Sequence, residues 1–267
     1  MGFLRLFWEA GMHWYRQEAA TLAAALAYLT PFVLVPLLVF SVGTVSWLVG
    51  PGRFTETLIA WGIRLAPDIT ELLLEATANF DIATVGFGLP WFGYIFFLWV
   101  VVYTFNTLAS SLQRIWHSSG SGWRVFAGNA VRSLVFFLSL QAYLVSLMIM
   151  YGLTLALPLT SLGQQIIETV GVFLLTVTLF YGMFTILGRR TLHWTSRLTG
   201  ALVVAVSFLF LRWLVTWWIA STPAVDLFGA AGLILGLLIW VYLTAVCIFY
   251  GAAFAWVFEQ QRTARWY

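Results

Sequence analysis

The chain has 267 residues, of which 62% are hydrophobic, 18% aromatic and 9% charged, with a formal net charge of +3. Soluble domains carry about 25% charged residues, and a soluble surface needs that charge. The balance excludes an ordinary soluble enzyme, a disordered chain and a disulfide-stapled secreted domain (Cys247 is the sole cysteine), and leaves an all-α polytopic integral membrane protein.

Residues 1–18 predict an N-terminal interfacial helix. From Phe3 to Tyr15, Phe3, Phe7 and Trp14 share one side, with Arg5, Glu9 and Arg16 elsewhere. The apolar run that follows, Ala19–Val49, exceeds the apolar region of a signal peptide and is expected to remain as a span. As one helix it would be about 46 Å long, so it must tilt or bend at Pro31 and Pro36. The outer loop, 50–88, repeats apolar residues at helical spacing around Pro67: Leu58, Ile59 and Ile63, then Ile69, Leu72, Leu73, Ala76 and Phe80. Two short amphipathic helices are expected there, resting on the outer surface or closing over the bundle. Five more runs are long enough to cross a bilayer: Leu89–Leu112, Val131–Leu157, Leu162–Leu187, Leu198–Ala220 and Leu227–Phe258. Pro158 closes the third span, and Ser161 with Gln164 forms a capping box for the fourth. The expected organisation is a six-helix transmembrane domain over 19–258 and a cytoplasmic tail over 259–267.

All basic residues are arginine, and their distribution sets sidedness. Ten arginines against three acids flank the N-terminal segment, the second–third loop, the fourth–fifth loop and the C-terminal segment. The other three loops hold Arg53 and Arg64 against seven acids. The positive-inside rule then puts both termini in the cytoplasm of a bacterial inner membrane. Arg114, Trp116, Arg189 and Arg190 form a cytoplasmic rim expected to touch membrane lipid. A basic rim beside spans is explained by topology and lipid, and no nucleic acid is expected.

Chemistry has few carriers. His13, His117 and His193 are scattered without metal-ligand spacing, and no Walker loop, dinucleotide glycine motif or nucleophile elbow is present. No catalytic residue, cofactor or metal is assigned. Arg212, in the fifth span, is the clear intramembrane charge, about 22 Å beyond Arg197. It either snorkels to the outer headgroups or pairs with Glu168 or Asp226, or it binds an anionic group, for which its fork is suited. Gln141, Asn106 and Tyr28 either hold helices together or line a polar path with it. No acid lies deep within a span, which disfavours cation antiport. Small residues, Ala19 to Ala27 in span one and Gly229, Gly232 and Gly236 in span six, predict close helix approach.

The stretches Ala23–Tyr28 with Val35–Leu38, Ser111–Trp116, Gly200-Ala201 ahead of Arg212, and Leu237–Leu243 followed by Gly251-Ala252 resemble the YihY/BrkB family of bacterial inner-membrane proteins, in order along nearly the whole chain. Tyr28, Arg114, Trp116, Arg212 and Trp240 match its pattern. One departure is Ala253, where relatives often carry glutamate. The resemblance implies a link to envelope integrity and a transport role. An older label for relatives, tRNA-processing ribonuclease, finds no clustered acids or histidines here. The leading expectation is therefore a non-enzymatic translocator of a lipid-like or anionic amphiphile. A scaffold for envelope proteins and a small-solute or sodium-coupled carrier are the alternatives. A homo-oligomer or an envelope partner fits any of them.

Overall fold

The computed structural model describes residues 3–49, 91–118, 123–156, 161–188, 192–221 and 224–263. These form helices α1 (Phe3–Arg16), α2 (Ala19–Val49), α3 (Trp91–Ile115), α4 (Trp123–Ala156), α5 (Ser161–Leu187), α6 (Trp194–Ser221) and α7 (Ala224–Thr263). There is no strand among the described residues. The expected outer helices in 50–88 lie outside them, as do Arg189 and Arg190.

Five helices are long and apolar enough to cross a membrane, and α1 with α2 brings the number to as many as six if that bent pair is one span. The bend between α1 and α2 is 67°. It falls at Glu18, whose φ of 52° is left-handed, so the chain turns there without a glycine. Pro31 and Pro36 do not interrupt α2, which stays one helix of 31 residues. Near the first proline, the Thr30 hydroxyl donates to the Leu26 carbonyl at 2.8 Å. Two boundaries differ most from the apolar runs. Helix α4 starts eight residues before Val131, because its first turns, though they carry arginines, continue the helical pattern. Helix α7 extends through Thr263, so residues 259–263 are helix rather than tail.

The outward faces of the spans are apolar. On α6, Leu202, Val206, Phe210 and Trp213 are exposed at helical spacing, and on α4 so are Val131, Val135 and Leu138. In water such stripes would be an aggregation liability, but in lipid they are the solvent-matched surface.

The described chain forms two compact units. The first comprises Met1–Pro31, Val101–Ser139 and Val172–Tyr267. Its interior holds Phe105 against Phe136 (ring centroids 5.2 Å) and Trp116 edge-on to Phe184 (5.5 Å). Helices α6 and α7 cross at Gly200 and Gly251, where an added Cβ at Gly200 would come within 2.8 Å of the Gly251 carbonyl oxygen. This is the close approach that glycine permits. Gly236 does not serve that purpose, since a Cβ there would meet nothing within 4 Å. Ala19, Ala23 and Ala27 are buried, while Ala24 and Ala25 are exposed, so small side chains thin one face of α2.

The second unit comprises Phe32–Val100 and Leu140–Gly171. Gln141 on α4 donates to the Leu37 carbonyl on α2 at 3.1 Å, tying two helices through an amide. Where α4 meets α5, Gln164 donates to the Thr154 carbonyl and the Thr154 hydroxyl to Glu168, both at 3.0 Å. The amide of Gln164 thus bridges neighbouring helices instead of only capping its own.

Candidate functional site

The arginine-rich end of the first unit is built on a buried polar layer. Gln113, near the end of α3, is 2% exposed. Its amide donates to Asn129 Oδ1 on α4 (3.1 Å) and to the Leu187 carbonyl at the end of α5 (3.2 Å). One side chain so satisfies an orphan helix-terminal carbonyl and a buried amide together. Ser133, wholly buried, donates to the Asn129 carbonyl at 2.8 Å. Trp116 lies one turn further on. Its indole Nε1 donates to the Ala252 carbonyl of α7 at 2.8 Å, and Gly188 faces its ring so closely that no Cβ would fit.

Trp116 therefore does not belong to a lipid-facing rim: it is 1% exposed and links α3 to α7. The Schellman turn that ends α3 explains this placement. The Ser118 N–H donates to the Gln113 carbonyl at 2.8 Å and the His117 N–H to Arg114 at 3.1 Å, with His117 left-handed (φ 49°). The turn directs Trp116 inward and leaves Arg114 exposed, 3.5 Å from the Glu18 carboxylate.

Helix α1 is seated on α7. Leu6 and Ala10 pack with Phe254 and Val257, and the Phe7 ring meets Phe254 at a tilt of 51°, with centroids 4.9 Å apart. The Tyr250 hydroxyl donates to the Phe7 carbonyl (3.1 Å) and Gln261 to Glu9 (2.8 Å). Trp8 and Tyr15 point away from this seat and are exposed. Beside it is a shallow recess of about 400 Å³ lined by Glu9, His13, Trp256, Val257, Gln260 and Gln261. The His13 Nε2–H donates to the Ile115 carbonyl at 2.9 Å, and its ring lies 5.6 Å from His117 and 6.4 Å from Trp256. Burial pushes its pKa below the usual histidine value, helped by His117 and Arg16 and opposed by the bond to Ile115. A second polar cluster caps α6. The Glu259 carboxylate accepts from the His193 N–H (3.1 Å) and from the Ser196 hydroxyl. Arg262 donates to His193 Nδ1 (2.6 Å) and to the Thr195 hydroxyl. A carboxylate at a helix N-terminus is stabilised by the dipole.

The residues read as a path stand in different local settings. Arg212 and Tyr28 are exposed rather than enclosed, Tyr28 by 68%. Asn106 is half-buried, and its carbonyl accepts the Ser110 hydroxyl at 2.8 Å. Gln141 belongs to the second unit, bonded to Leu37. Among the described residues no group of three His, Cys, Asp or Glu is arranged to hold a metal ion. The polar layer itself is absent from those assignments. Gln113 is part of the Ser111–Trp116 stretch, but an amide beside an arginine at a span's end reads as surface. Four enclosed side-chain atoms among the described residues have no hydrogen-bond partner: Trp14 Nε1, Thr104 Oγ1, Arg132 Nη1 and Arg197 Nε.

The family described as "Virulence factor BrkB" matches residues 12–266, from α1 to beyond α7. The chain belongs to the BrkB family. A membrane protein of the UPF0761 group from Rhodospirillum rubrum is 26% identical over 255 residues, covering 91% of this chain and 56% of its own length. A second UPF0761 membrane protein, from Stenotrophomonas maltophilia, is 25% identical over 241 residues, covering 86% of this chain and 55% of its own. The chain spans about half the length of these curated relatives. No solved structure matches it. Family and relatives agree with the apolar helices: this BrkB-family chain is a membrane protein. Ala253 is fully buried within α7.

Proposed function

We propose that this BrkB-family chain moves an anionic amphiphile within the bacterial inner membrane, without enzymatic chemistry and with both ends of the chain in the cytoplasm. The observation that carries this reading is Arg212. It is exposed on α6 between Leu211 and Trp213, in a face whose other exposed members include Phe210 and Leu214. It lies about 22 Å from Arg197 along the helix. A guanidinium exposed in so apolar a segment is costly to hold in hydrocarbon, and water, headgroups or an anion lower that cost. Its fork matches a phosphate or carboxylate head while the neighbouring aromatics match acyl chains.

The test uses proteoliposomes carrying fluorescent phosphatidylglycerol or phosphatidylcholine, with leaflet exchange followed by chemical quenching. The wild-type chain is expected to exchange the anionic lipid faster. Arg212→Gln should slow that exchange by about tenfold, the size of one charge-assisted hydrogen bond. Equal rates for wild type and variant would remove Arg212 from the mechanism. A second reading, a scaffold for envelope proteins, draws on the interhelical bonds of Gln141 and Gln113, which act as fasteners. No exchange by the wild-type chain, with a partner co-purifying in fixed ratio, would favour it.

A further inference from the structure

Two arginines of the first unit start from packed helix faces, and each has an enclosed nitrogen without a protein acceptor. Arg197 lies three residues into α6. The residues three, four and seven positions on, Gly200, Ala201 and Val204, are all buried, so Arg197 projects from the inward side. Its guanidinium carbon lies 5.9 Å from the centroid of the Tyr181 ring on α5, and its Nε has no hydrogen-bond partner. Arg132 on α4 stands between buried Asn129 and buried Phe136, one turn to either side, and its Nη1 is likewise without a partner. Both groups lie just beyond the Gln113–Asn129–Leu187 layer. Arg132 is about 4.5 Å past Asn129 along its helix, and Tyr181 is about 9 Å past Leu187 along its own.

Arg132 and Arg197 are partly exposed as residues, but enclosed polar atoms in native proteins are almost always satisfied, and a nitrogen of a charged group is the most demanding case. Arginine cannot escape by losing its proton. Among the described residues neither Arg132 nor Arg197 is ion-paired with an acid. Glu259, near the start of α6, is committed to the His193 N–H and the Ser196 hydroxyl. The Tyr181 ring lies within cation–π range of the Arg197 guanidinium and offers it no acceptor, so the enclosed N–H is left to be met by an external anion. We propose that Arg132 and Arg197 each meet a phosphate group at the arginine-rich end of the first unit, with the Tyr181 ring as a wall beside Arg197. Arg197 is about 22 Å from Arg212 along α6, and the proposal stands whether the chain translocates amphiphiles or not.

Phosphate chemistry can come from a phospholipid headgroup or from a free anion, and the experiment separates the two. The full chain is purified in a neutral detergent, stripped of lipid, and titrated with phosphatidylglycerol, phosphatidylcholine or inorganic phosphate, with native mass spectrometry and thermal shift as readouts. Wild type is expected to retain phosphatidylglycerol in preference to phosphatidylcholine. The double variant Arg132→Gln/Arg197→Gln should lose about tenfold in that affinity, and Arg212→Gln should keep it. Inorganic phosphate that displaces the lipid identifies a free-anion site; failure to displace it identifies a headgroup site. Either result is consistent with the proposal. Absence of both a phosphatidylglycerol preference and a phosphate shift in wild type would overturn it, as would unchanged affinity in the double variant. If the double variant does not fold, Arg132→Lys and Arg197→Lys keep the charge and lose the fork. They should weaken retention several-fold, and unchanged retention in these folded variants also overturns the proposal.

Discussion

Trp116 illustrates how a side chain's role depends on the turn that presents it. A tryptophan at the end of an apolar run reads as part of an interfacial aromatic belt. Here the left-handed His117 closes the helix and turns the indole inward, where it reaches the Ala252 carbonyl at 2.8 Å. Trp116→Phe keeps an aromatic ring but removes the donor and part of the volume. The expected destabilisation is about 1–3 kcal/mol, seen as a lower thermal midpoint in detergent. An unchanged midpoint would mean the bond contributes nothing. Gln113 is a related case: its two bonds cross three helices, and nothing in its sequence neighbourhood distinguishes it from a surface amide.

Among the elements, α1 departs most from its sequence reading. Its amphipathic pattern predicts a helix resting on lipid, and Trp8 and Tyr15 are indeed exposed. Its other face is seated on α7 through Leu6, Ala10, Phe254 and Val257. His13 closes the seat by donating to the Ile115 carbonyl. Its lowered pKa makes the seat sensitive to acid, because the undocked imidazole takes up a proton more readily than the docked one. The contribution is fully present above the free histidine value of about 6.5 and is lost as pH falls through the lower docked value. Hydrogen exchange in residues 3–16 should therefore rise between pH 7.5 and pH 5.5 after correction for intrinsic rates. His13→Gln retains a donor without titrating and should abolish that pH dependence. Identical profiles for the two proteins would exclude His13 as the sensor.

For the chain as a whole, the arginine bias makes a prediction about sidedness. Arg114, Arg132, Arg197 and Arg262 lie near ends of α3, α4, α6 and α7 that share the first unit. The positive-inside rule assigns that end to the cytoplasm. A fluorescent protein fused after residue 267 should fluoresce in intact bacteria, and alkaline phosphatase at the same position should be inactive. Active phosphatase there would invert the orientation and move the proposed phosphate site to the other face.

The membrane class, the helices and most of their limits are legible in the residue order. A bilayer demands long apolar stretches and internally bonded backbone, and both demands are local along the chain. The resemblance in Ser111–Trp116 and Gly251-Ala252 also falls at positions that pack: Gln113, Trp116, Gly251 and Ala252 are all buried. Partnership is not local. Whether Gln141 joins Leu37, whether Trp116 meets Ala252 and whether Arg197 lies over Tyr181 depends on contacts between residues far apart in sequence. In an all-apolar span the hydrophobic pattern hardly distinguishes the lipid-facing side from the packed side, since both are apolar. Tertiary packing supplies that distinction, leaving Arg212 exposed and turning Arg132 and Arg197 inward.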